Sequence, residues 1–171
     1  MLLPTACSDD DDEGVPEEIK ASIRGYYQGT CGAVCMLNYR DTLRVNSGAS
    51  VDASSVRIED LPVASLLDSI LGKGTAEANA IVSVPFRMGY KLYNANQEYY
   101  PMSYDPAPIT LQVEKDGTQH EVEIRFAGKG SDFIWYYPKR QRIDITVATS
   151  LILLDGEKKD LTFRFPIVLK K

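Results

Sequence analysis

From Gly25 onward, apolar and polar residues alternate one by one, and this period of two limits the chain to pleated strands with one face turned to a core. The longest run is Ala76 to Leu92. Its even positions are Ala78, Ala80, Val82, Val84, Phe86, Met88, Tyr90 and Leu92, against Glu77, Asn79, Ser83, Arg87 and Lys91 among the odd ones. The alternation predicts one strand, or two broken at Pro85, which cannot donate to a ladder. Tyr27, Cys31, Ala33, Cys35, Leu37 and Tyr39 form a second inward set, and Ile109, Leu111 and Val113 a third. Asp116-Gly117 then gives a two-residue hairpin, whose return strand turns His120, Val122, Ile124 and Phe126 inward. Phe133–Tyr137, Arg142–Leu153 and a last strand with Leu161, Phe163, Phe165, Ile167 and Leu169 inward follow, with weaker strands at 42–46 and 55–59.

One segment has a helical period. Val63, Leu66, Leu67, Ile70 and Leu71 make an apolar stripe, so a short helix near 62–71 is expected, with Asp60 as its cap, Pro62 in its first turn and Gly72 at its stop. Strands every 8–12 residues indicate an all-β antiparallel sandwich or flattened barrel of about eight or nine strands. With no repeat and no second core, residues 23–171 read as a single domain.

The net charge of −5 belongs to the leader. Residues 1–18 hold seven acids and no Lys or Arg, leaving 17 acids against 19 bases in the rest. A near-neutral body without a basic stripe argues against nucleic-acid binding, and no run approaches the ~20 apolar residues of a spanning helix. Leu2-Leu3-Pro4-Thr5-Ala6-Cys7 followed by Ser8-Asp9-Asp10-Asp11-Asp12 resembles the end of a bacterial lipoprotein signal peptide. The resemblance implies lipidation of Cys7, outer-membrane anchoring and exposure at the cell surface. Residues 1–22 would be signal remnant, lipidation site and acidic tether, self-repelling and extended.

Few residues carry chemistry. Cys31 and Cys35 lie four apart on one strand, about 13 Å in extended chain, beyond the roughly 4.4–6.8 Å that a disulfide allows between Cα atoms. Two buried free thiols are expected, and no metal site, since His120 is the sole histidine. His120 is read as a partly buried structural residue. No nucleophile elbow, zinc-protease helix or phosphate loop is present, and no cofactor is implied. Glu98, Asp105, Asp132 and Asp144 offer the carboxylate pairs a glycosidase needs, as many chains of this size do.

The aromatic residues are more informative. Tyr93, Tyr99, Tyr100 and Tyr104 cluster around a polar, Pro-containing segment, and Trp135, Tyr136 and Tyr137 form a second group beside Lys139, Arg140 and Arg142. Flat rings with polar tips suit stacking on sugars or a protein contact. The alternative is that half of them fill the core and the rest cap its rim. The acidic leader, the Gly25-Tyr26-Tyr27-Gln28-Gly29 strand, Leu61-Pro62 before the helix, and Tyr104-Asp105-Pro106-Ala107-Pro108-Ile109-Thr110-Leu111 before the hairpin are together similar to uncharacterised Bacteroidetes lipoprotein families, some of them calycin-like. That resemblance implies a lipocalin-like β protein and carries no functional residue. The expected function is therefore a non-catalytic surface lipoprotein, a binding or accessory module for a glycan or small hydrophobic ligand. A structural or adhesin-type subunit contacting an envelope protein is the alternative, and a carboxylate-based hydrolase a more remote one.

Overall fold

A computed structural model describes residues 14–37, 40–95, 98–128 and 134–171. Among these residues eleven strands form: β1 (Gly25–Cys35), β2 (Arg40–Val51), β3 (Ser55–Pro62), β4 (Ser83–Leu92), β5 (Tyr100–Pro106), β6 (Ile109–Lys115), β7 (Thr118–Phe126), β8 (Ile134–Tyr137), β9 (Arg142–Leu154), β10 (Glu157–Lys159) and β11 (Phe163–Lys170). Eight of them, in the order β11-β1-β2-β3-β4-β5-β8-β9, close into an antiparallel barrel because β9 pairs back onto β11. The expected sandwich or barrel resolves to the barrel, in which each of the eight strands has a neighbour on both sides.

β9 belongs to two sheets. Its first half, Arg142–Ala148, lies between β8 and β11, and its second half, Thr149–Leu154, pairs with β7 and β10 in a smaller sheet ordered β6-β7-β9-β10. At the fork the buried Thr149 hydroxyl accepts the Phe163 N–H at 2.9 Å, replacing a ladder bond where β11 leaves β9. The β6–β7 hairpin has the anticipated two-residue turn: Asp116 and Gly117 have φ of 52° and 79° and connect the Lys115–Thr118 pair.

Helices close both ends of the barrel. At one end α1 (Glu17–Ser22) brings Ile19 and the buried Ile23 against the core, with Val15 buried just before it. The Tyr27 hydroxyl donates to Ile23 O at 2.7 Å, and Ser22 Oγ lies 2.9 Å from Tyr136 Oη. Residues from Val15 onward are thus part of the folded body, where a tether running to residue 22 was expected. Across the other end lie α2 (Ala64–Leu71) and α3 (Thr75–Ala78), which bury Leu66, Leu67 and Ala76.

Two local expectations are corrected. The alternation from Ala76 does not continue as strand: Thr75–Ala78 is helical, Ala80 has φ of 55°, and Val82 is 53% exposed, so the inward phase begins only at Phe86, Met88, Tyr90 and Leu92. A run of small residues alternates as well by chance as by strand geometry, and packing across the barrel end decides between them. Asp60 does not cap α2. It lies in β3, where its Oδ1 accepts from the Ser83 hydroxyl at 2.8 Å, and Pro62 pairs with Ser83 instead of opening the helix.

Side chains fill the barrel. Tyr27, Ile58, Leu61, Met88, Tyr136, Val147, Phe163, Phe165 and Leu169 are all 0% exposed, so no water-sized space adjoins any of them. An eight-stranded barrel is just wide enough to be packed this way, and Phe126, tilted against Phe86 and edge-on to Phe165, carries the same core to the smaller sheet.

Candidate functional site

The seven aromatic candidates divide by the pleat. β5 and β8 are neighbours in register Tyr100–Tyr136 and Pro101–Trp135. Alternation therefore sends Tyr100, Tyr104 and Tyr136 into the barrel and turns Trp135 and Tyr137 outward. Tyr100, Tyr104 and Tyr136 are core residues, a correction to their reading as ligand contacts. Tyr93, Tyr99, Trp135 and Tyr137 remain on the outside. Tyr93, 37% exposed, donates its hydroxyl to Ser103 Oγ at 3.2 Å on the outer face of β5.

The other three meet. Tyr99 stands edge-on to Trp135, ring centroids 4.9 Å apart at 89°, and 6.3 Å from Tyr137. The Arg140 guanidinium lies 5.8 Å from the Tyr137 centroid. Glu98, Tyr99, Tyr137, Lys139 and Arg140 line a recess of about 150 Å³. Lys139 also borders a wider, open recess of about 560 Å³ formed with α1 and Gln141. The result is an aromatic floor with two cations and one carboxylate at its rim, continuing toward the end closed by α1. Arg142 takes no part: it donates to Asp144 at 2.5 and 2.8 Å, a pairing that raises its already high pKa. Its charge is spent within the strand, so the basic group expected there reduces to Lys139 and Arg140.

A family profile matches residues 22–154, most of the chain. It describes a domain of unknown function, DUF4840. The chain belongs to the DUF4840 family. No curated protein and no solved structure matches it. The DUF4840 match ends with β9, yet β11 supplies the strand between β9 and β1, so the barrel extends beyond the matched segment.

The remaining candidates have structural settings. His120 Nδ1 lies 2.7 Å from Asp155 Oδ2, while Asp155 Oδ1 accepts the Glu121 N–H at 2.8 Å. These bonds fasten the β9–β10 turn to β7, and they hold the Asp155 carboxyl below its ordinary pKa, the histidine bond contributing most. Cys31 and Cys35 are buried free thiols on β1, and burial pushes the Cys31 thiol up to about 11. Among the described residues no cluster of three or more potential metal ligands occurs, and no helix is long and apolar enough to cross a membrane. Of the four acids singled out, Asp144 is engaged by Arg142, Asp105 is exposed on β5, Glu98 borders the aromatic recess, and Asp132 lies outside the described residues, as do Cys7, Tyr39 and Phe133.

Sequence reasoning passed over one exposed ring. Tyr26, on the outward face of β1, is 50% exposed and donates its hydroxyl to Glu59 Oε2 at 3.2 Å on β3. Its place beside an inward Tyr27 in the period-two pattern was the available signal.

Proposed function

We propose that this protein is a non-catalytic binding module, anchored as a lipoprotein through Cys7 at the outer membrane and exposed at the cell surface, that holds a glycan on the outer wall of its barrel. The observation carrying this reading is the meeting of Tyr99, Trp135 and Tyr137 beside Lys139 and Arg140, on the outside of a barrel whose interior is occupied by its own side chains. Rings fixed by one another lose little freedom when a sugar face stacks on them, and the two cations favour a carboxylate-bearing saccharide. A small hydrophobic ligand would instead need to displace packed aromatic residues from the core.

Titration with trigalacturonate, read by Trp135 emission, tests the site. Saturable quenching that weakens roughly tenfold in Tyr137→Ala supports it; no response in the wild-type protein overturns it. Anchoring has its own test: label from a fatty-acid analogue should be lost from the full-length protein in Cys7→Ser, and equal labelling would remove the lipoprotein reading.

One observation favours the protein-interaction alternative. In the smaller sheet β6 is an edge strand; Thr110, Gln112 and Glu114 occupy its edge-side positions, and among the described residues only Glu114 of these is covered, by Asn79. A partner strand adding there would protect the Thr110 and Gln112 amides from hydrogen exchange.

A further inference from the structure

On the wall opposite β8 in the strand order, β1, β2 and β3 enclose an open recess of about 490 Å³ bordered by Tyr26, Gln28, Asn46, Gly48, Glu59 and Asp60. We propose that this recess is a second saccharide site, selective for neutral sugars, with Tyr26 as its stacking platform.

Its geometry is set by one glycine. A Cβ on Gly48 would overlap both Tyr26 Oη and Glu59 Oε2, so the tyrosine hydroxyl rests directly over the Gly48 backbone. The Tyr26 side chain therefore reaches from β1 across β2 to Glu59 on β3, and half of its surface is open to solvent. The bond to Glu59 holds it there, so a stacking partner meets a platform already ordered. Around it, Gln28, Asn46 and Glu59 are exposed planar polar groups, the type that bonds to pairs of adjacent hydroxyls. Asp60 is fixed from two sides: its N–H donates to Ser47 Oγ at 3.0 Å and its carboxylate accepts from Ser83.

Charge selects the ligand. Among the described residues that line the recess, Glu59 and Asp60 are the only ionisable acids or bases besides Tyr26, so an anionic sugar is repelled, while hydroxyl groups find acceptors. This is the reverse of the rim formed by Lys139 and Arg140. The site stands independently of the proposed function, because it shares no residue with the aromatic cluster on β8.

The test is amide-shift mapping of the full chain with maltohexaose, cellohexaose, xylohexaose and mannohexaose, each to about 10 mM, a range that detects millimolar affinity. Support is a saturable shift of the Gln28, Gly48 and Glu59 amides with at least one of them, weakened roughly tenfold or more in Tyr26→Ala and in Gly48→Ala, and unchanged in Tyr137→Ala. Gly48→Ala keeps every ligand-contacting side chain but displaces the Tyr26 ring together with the Glu59 carboxylate that holds it, so loss in that variant identifies this anchored pair as the platform. If none of the four sugars moves these amides, or if the shifts survive both Tyr26→Ala and Gly48→Ala, the site is overturned. Loss confined to Tyr137→Ala also overturns it, and assigns binding to the other wall.

Discussion

Asp52 shows how much one side chain in a turn can fix. Its Oδ1 accepts the Ser54 and Ser55 N–H groups at 2.8 and 2.6 Å, and its Oδ2 accepts the Ser55 hydroxyl at 2.7 Å, so the carboxylate braces the β2–β3 turn. Those bonds, the Ser54 amide first, lower its pKa to about 2. A depressed carboxyl stabilises the fold fully above its unfolded pKa and loses that contribution as pH falls through the folded value. In Asp52→Asn the melting temperature should therefore drop at neutral pH, and the gap to wild type should close between about pH 5 and pH 2. A gap constant across that interval would refute the assignment. Cys31 gives a second residue-scale prediction. With its thiol buried and shifted up to about 11, native protein should resist iodoacetamide at pH 8 while unfolded protein reacts at once. Rapid native labelling at Cys31 would show that the strand opens.

At the scale of elements, β6 is where the fold manages a liability. Every barrel strand has two neighbours, but β6 pairs only with β7. Asn79 answers part of this by donating Nδ2 to Glu114 O and accepting the Glu114 N–H at Oδ1, both at 2.8 Å, in place of a neighbouring strand. Asn79→Ala should cost about 1–2 kcal/mol in thermal or urea unfolding, the worth of two modest hydrogen bonds, and increase self-association by freeing the edge. A monomer of unchanged stability would show the asparagine is incidental. The other elements follow from their local patterns to different degrees. The β6–β7 hairpin forms where Asp116-Gly117 predicts it, because left-handed φ at both positions is a local demand. α2 forms on its stripe of Val63, Leu66 and Leu67, but starts after Val63 without a side-chain cap, since β3–β4 pairing holds Asp60 and Pro62 in the sheet.

For the whole molecule, closure is the governing fact. β11 lies between β1 and β9, and its Phe163, Phe165, Ile167 and Leu169 are buried. A fragment ending at residue 154, the limit of the family match, should lack cooperative unfolding, because it exposes this seam and two strand edges together. A sharp thermal transition in that fragment would mean that the smaller sheet stabilises an open barrel by itself. Closure also fixes where the surface aromatic residues stand: the interior is filled, and the ring of strands puts β8, carrying Trp135 and Tyr137, opposite β2, across which Tyr26 reaches from β1.

Period-two alternation was enough to determine that the chain is all-β, where its main inward faces lie and that Cys31 and Cys35 are free, because each depends on side chains a few residues apart. Tertiary structure alone decided which tyrosines around β5 and β8 are exposed. Tyr99 and Tyr100 are adjacent and chemically identical, and only the pairing of β5 with β8 assigns one to the surface and the other to the core. The same holds for the ring of Tyr26 over Gly48 and for the joining of β11 to β1. These contacts unite residues far apart in the chain, and no local pattern encodes which distant strand will be the neighbour.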